Sequence, residues 1–152
     1  LKHAAEEFRH AYHLKRQIKK LSISGFQDYT PNSLLGGYHA LRYLDRLNVQ
    51  ICRHLKLDFG FYGASQHAAA YHLVTYAIEV RASIIYPLYQ AVLKEVGSPI
   101  SMHSIILEEE HHLAEIAAEL GQYPHSHAMR VKALSSENTL FETLFKIFLT
   151  LK

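Results

Sequence analysis

The chain has 152 residues, 49% apolar and 20% charged, with a net charge of +2. That balance predicts one globular domain over residues 1–152 and argues against disorder, a collagen-like repeat or a highly charged nucleic-acid-binding arm. The single cysteine, Cys52, excludes an internal disulfide framework and any cysteine-cluster metal site, and it predicts a reducing, cytoplasmic home.

Seven glycines and four prolines leave room for long helices with few breaks. The chain opens at Leu1 inside a helical run with no N-cap ahead of it, which reads as a chain missing its natural beginning. A first helix is predicted from Leu1 to about Leu21, with Ala4, Glu7, Ala11, Leu14, Ile18 and Leu21 on one stripe. Lys15, Arg16, Lys19 and Lys20 crowd its end, where cations complement the helix dipole. Ser22 to Tyr29, with Gly25, reads as a loop.

Thr30-Pro31 is a cap followed by proline at the first helical position. A second helix should run from there to about Leu55, weakened at Gly36-Gly37. Leu57 to Ala64 reads as a packed loop. A third helix is predicted from about Ser65 to Glu95 or Val96, with a kink at Pro87, which collides with the carbonyl of Ser83. A fourth runs from Pro99 to Leu120, closed by Gly121 and Pro124. A fifth starts near Ser135 or Ser136 and carries Leu140, Phe141, Leu144, Phe145 and Phe148 as an apolar face. That face either packs on the bundle or makes a homodimer contact. No segment is long and apolar enough for a membrane span, and no secretory leader is visible. The class is all-α, a bundle of long antiparallel helices.

The chemistry-bearing pattern is Glu-x-x-His. It occurs as Glu7/His10, and again in Glu108-Glu109-Glu110-His111-His112 as Glu108/His111 or Glu109/His112. Residues three apart share a helix face, so each pair can grip one ion or let its carboxylate bridge two. Glu109 falls on the stripe of Met102, Ile105, Ile116 and Leu120. A carboxylate inside a bundle is costly unless it is paired or bound to metal. The blander alternatives are a solvated acidic face in the fourth helix and a surface pair of Glu7 with Arg9 or a neighbouring lysine. Glu79 is the only acid between Ser65 and Lys94. It is either a third carboxylate ligand, with His72, Tyr76 and Tyr86 on its face, or half of a salt bridge to Arg81 or to another helix. His39, Asp45, Gln50 and His54 read as surface or structural groups, and so do His103, His125 and His127. No Gly-rich phosphate loop, Ser-His-Asp signature or nucleic-acid module is present.

The run from Ala5 to Leu14 resembles the second helix of bacterioferritin- and rubrerythrin-type proteins, and Ile106 to Leu113 resembles their fourth, with its Glu-Glu-x-His signature. That family is the ferritin-like di-iron carboxylate superfamily, whose site takes a Glu from each of two helices and a Glu-x-x-His pair from each of the other two. The resemblance covers about half of the chain and implies a ferritin-like antiparallel bundle. A long crossover would carry an extra helix, and a further helix would follow at the C-terminus. It implies Glu7, His10, Glu79, Glu109 and His112 as ligands to two iron ions, or manganese, that react with O2 or peroxide and an unknown substrate. The family's first helix, with its own Glu, has no counterpart before Leu1, and the Cys-rich module of rubrerythrins is absent. A metal-free helical interaction or dimerisation protein is the alternative from another class, and iron storage or detoxification is a third reading.

Overall fold

The computed structural model describes residues 2–21 and 30–150, with the side chains of 2–4 left aside. Six α-helices make up the described residues, which contain no strand. They are α1 (Lys2–Ile18), α2 (Gly37–Leu41), α3 (Tyr43–Phe59), α4 (Gly63–Glu95), α5 (His103–Leu120) and α6 (Ser126–Thr150). The all-α expectation is met. No helix among the described residues is long and apolar enough to cross a membrane.

The differences from the expected elements have local causes. The loop predicted over Ser22–Tyr29 lies outside the described residues. The predicted second helix is divided into a 3-10 turn at Pro31–Ser33, the five-residue α2 and the seventeen-residue α3. Gly36 and Gly37, both at positive φ, interrupt it where the sequence is weakest. At its other end α3 outruns Leu55 and stops at Phe59, because Gly60 takes the left-handed conformation and Phe61 N–H returns to the Leu55 carbonyl at 3.0 Å. The helix α4 runs through Pro87 without termination. The helix α6 starts about ten residues earlier than expected. Ser135-Ser136 resembles a cap in sequence, but Ser136 is buried in mid-helix on the face of Met129 and Ala133. Tertiary burial there outweighs the preference of serine for helix ends.

The chain divides into two compact units, Leu1–Ser24 with Glu79–Glu115, and Gly25–Ile78 with Ile116–Lys152. The second holds the apolar core. Leu47, Ile51 and Leu55, one turn apart on α3, meet Ala69, Ala70, Leu73 and Ala77 of α4, Ile116 and Leu120 of α5, and Met129 and Ala133 of α6. Alanines on α4 permit close helix approach, and each fully buried Leu, Ile or Met contributes about 1.5–3 kcal/mol. The free thiol of Cys52 is half-buried beside this core.

The first unit is built differently. Its α1 does not bury the predicted stripe, since Ala11 and Ile18 are exposed. His10 and Gln17, two turns apart, are buried instead. They tolerate burial because they are partnered. The Gln17 amide donates to the Ser101 carbonyl at 2.9 Å and accepts the Ser101 N–H at 2.7 Å. In α5 the predicted stripe holds in full: Met102, Ile105, Glu109, Ile116 and Leu120 are all buried.

Candidate metal centre

The buried face of α1 ends in polar residues rather than leucines, so the first unit has to satisfy charge in its interior. Within it, Glu7, Glu79, Glu109 and His112 bring one ligand atom each to within 4.8 Å of one another. These are four of the five residues singled out in sequence, and together they could hold a metal ion. His10, the fifth, adjoins them: its Nδ1 lies 3.1 Å from Glu109 Oε1 and 3.9 Å from Glu7 Oε2. The ambiguity in the run of three glutamates is settled by burial. Glu109 and His112 point inward, whereas His111 is exposed and pairs with Glu115 at 3.0 Å. The surface pair of Glu7 with Arg9 is not seen, because Arg9 binds Glu108.

The two Glu-x-x-His pairs are laid out reciprocally. Glu7 turns Oε2 toward His10 Nδ1 and Oε1 toward His112 Nδ1, each at 3.9 Å. Glu109 turns Oε1 toward His10 Nδ1 at 3.1 Å and Oε2 toward His112 Nδ1 at 3.2 Å. Each carboxylate therefore offers one oxygen to each imidazole. Glu79 Oε1 stands 3.8 Å from His112 Nδ1. Two donors each about 2.1 Å from a common ion are separated by roughly 3.0 Å at right angles and about 4.2 Å in line. The observed separations fall in that interval.

The outer nitrogens are held in the same reciprocal way. His10 Nε2 lies 3.0 Å from Glu108 Oε2, and His112 Nε2 lies 3.1 Å from Glu6 Oε2. An ionised carboxylate only accepts, so Nε2–H donates in each case and Nδ1 is the nitrogen that faces the cluster. The Glu108 carboxyl is held below its ordinary value by the hydrogen bonds of His10 and then Arg9, which keeps it an acceptor. Sequence reasoning missed Glu6 and Glu108 in this role. The signal was present as a doublet: both motifs read Glu-Glu-x-x-His, and the first Glu of each holds the histidine of the other.

Both Nδ1 atoms face carboxylate oxygens, and His112 Nδ1 is hydrogen-bonded to Glu109 Oε2 at 3.2 Å. His10 Nδ1 is buried and makes no hydrogen bond, although a carboxylate oxygen stands 3.1 Å away. The distance suits an ion pair, but the alignment is not that of a hydrogen bond. Such a pair is satisfied by a positive charge between its members, a metal ion or a proton on the imidazole. Glu79 shows the same pressure. Its carboxyl is pushed up to about 9, first by burial, then by a hydrogen bond with Glu109, then by the charges of Glu109 and Glu7. Tyr86 is pushed up to about 12 by burial and by the charges of Glu109, Glu7, Glu79 and Tyr89. The donor set of Glu7, Glu79, Glu109 and His112 could hold a metal ion.

His54, His72 and Tyr76 lie in the second unit. His72 accepts from or donates to the Tyr123 hydroxyl at 3.2 Å and pairs with Glu119 at 3.2 Å. Tyr76 lies under the Arg130 guanidinium. His54 joins Asp58 and Lys132 in a surface network, and Asp45 pairs with Arg42. No family model, curated protein or solved structure matches the chain.

Proposed function

We propose that the chain is a ferritin-like di-iron carboxylate protein whose two irons react with O2 or peroxide, oxidising a substrate or the iron itself. The observation that carries the reading is the pair of bridging orientations: Glu7 and Glu109 each direct opposite oxygens at the two inward histidine nitrogens. Carboxylates with one imidazole per metal suit iron or manganese better than zinc, which favours thiolate- or imidazole-rich tetrahedra.

When bound, the two irons would supply the electrons and the open coordination positions that reduction of O2 or peroxide requires. The chain's own part is to hold and to orient. Glu6 and Glu108 fix the histidine rings through Nε2–H, so that Nδ1 is the ligand. Glu79 would lose its proton as metal enters and would cap the His112 side. Tyr86 keeps its phenolic proton at neutral pH in the field of three carboxylates.

Metal content tests the reading. Protein purified without chelator and reconstituted anaerobically with Fe(II) should carry about two irons per chain, the stoichiometry of a bridged carboxylate site. A Glu7→Ala/Glu109→Ala double variant should lose them. Absence of metal from both proteins would sink the di-iron reading and leave a metal-free helical interaction protein. Molar mass in solution separates a small oligomer from the closed assembly that iron storage requires.

A further inference from the structure

From Ala82 to Leu93 the helix α4 carries no charged residue, yet much of this stretch faces outward. Ile84, Leu88 and Val92 follow one another a turn apart, and each is more than half exposed. Leu88 comes nine residues after the buried Glu79 in the same helix, about two and a half turns on, which sets the two on opposite faces. The stripe is therefore the face of α4 turned away from the carboxylate cluster. Contiguous exposed apolar side chains of this kind mark an interaction surface.

The charges that bound the stripe specify what it meets. Toward the N-terminus the first charge on this face is Arg81, which is half-buried, and toward the C-terminus it is Glu95, which is exposed. Each lies seven residues, about two turns, from Leu88. Around Leu88 the pattern is symmetric in apolar character, with Ile84 and Val92 four residues away, and opposite in charge. Turned end for end about Leu88 and laid against a copy of itself, the helix brings Ile84 to Val92, Leu88 to Leu88 and Arg81 to Glu95. One two-fold axis satisfies both ends at once. The apolar face of α6 is partly occupied within its own chain, where Leu144 and Phe148 lie against Gly36.

We propose that the chain pairs with a second copy through this face of α4. Leu88 sits at the two-fold axis, Ile84 packs on the partner's Val92, and Arg81 pairs with the partner's Glu95 at each end. The inference does not depend on the metal reading, because the stripe and Glu79 occupy opposite faces of the helix. A single helix face makes a small interface, so the dimer is a reversible one.

Sedimentation equilibrium over a dilution series, in chelator, tests it. The wild-type chain should approach twice its monomer mass at high concentration and dissociate on dilution. Leu88→Asp sets two like charges at the axis and should be monomeric throughout, with the helical circular dichroism of the wild type. Arg81→Glu and Glu95→Arg should each weaken pairing by about tenfold or more, since each places like charges face to face twice across the axis. Both reversals in one chain should restore it, and so should an equimolar mixture of the two single variants. That restoration separates pairing from misfolding, which a second reversal does not repair. Phe145→Asp, on the exposed side of α6, should leave the dimer intact. A monomer at every concentration up to about 1 mM would overturn the inference. So would a dimer that survives Leu88→Asp, one lost in Phe145→Asp, or single reversals that fail to rescue each other.

Discussion

His10 and His112 are gripped at both ring nitrogens, and the two grips do different work. The inner contacts, to Glu7, Glu79 and Glu109, belong to the cluster that could hold a metal ion; the outer ones, to Glu108 and Glu6, set ring orientation. Removing an orienting carboxylate leaves every ligand in place. Glu6→Ala and Glu108→Ala should therefore lower Fe(II) affinity by about 10- to 100-fold without abolishing binding. Glu109→Ala, which removes a donor shared by both imidazoles, should abolish it. Anaerobic Fe(II) titration distinguishes the three, and equal losses in all would show that the outer contacts are ligands too. Protonation of Glu79 gives a second test. Its folded-state value of about 9 lies above the ordinary 4.5, so the folded metal-free chain keeps a proton that the unfolded chain releases between those values. The stability tied to that proton is complete below about pH 4.5 and is lost as pH rises toward 9. In chelator, the melting temperature should fall from mildly acidic to alkaline pH, and Glu79→Gln should flatten the slope. An unchanged slope would mean that Glu79 is already ionised in the metal-free fold.

At the scale of elements, what could be read in sequence follows from how local the cause was. The α5 stripe was legible because one helix face is buried along its whole length, and period alone reveals it. With Glu109 placed on that stripe, the inward ligand pair was legible as well. In α1 the same method chose the wrong face. The buried residues are His10 and Gln17, whose burial depends on partners in α5 and beside it, about a hundred residues away in sequence. No periodicity within α1 carries that information. Glu6 and Glu108 escaped for the same reason, because a carboxylate that orients a ring across two helices looks in sequence like a solvated charge. The start of α6 was hidden by two serines that packing overrides. The break before α2, in contrast, was signalled by its glycines, and Gly36 makes a testable case. It sits at φ +81°, and a Cβ there would lie 2.6 Å from Phe148 Cε1 and 2.9 Å from Leu144 Cδ1. Gly36→Ala adds left-handed strain to a clash with the C-terminal part of α6. A loss of roughly 2–4 kcal/mol is expected in urea unfolding, from overpacking and backbone strain together. A loss below about 0.5 kcal/mol, within the range of neutral surface changes, would show that α6 yields there without cost.

On the scale of the whole molecule, the two units are stabilised by different means. The unit of Gly25–Ile78 and Ile116–Lys152 has a continuous apolar core drawn from four helices. Inside the unit of Leu1–Ser24 and Glu79–Glu115, the buried side chains include two acids, two histidines and a glutamine beside Ala82, Met102 and Ile105. Desolvating an ion costs several kcal/mol, so carboxylates without a cation work against the fold of this unit. A metal that binds only the folded state reverses the balance by about 2.7 kcal/mol at a free concentration a hundred times its dissociation constant. The gain belongs first to the elements that supply the ligands. Hydrogen exchange should then show Fe(II) or Co(II) raising protection in α1, in α4 beyond Glu79 and in the first three turns of α5. The amides of α3 and the core-facing part of α6 should be slow with or without metal, because their protection comes from Leu47, Ile51, Leu55, Met129 and Ala133. Uniform slowing across the chain would mean that the units open as one, and the metal would then be a global staple. Protection confined to the ligand-bearing helices would make the acidic unit the part of the molecule that metal completes.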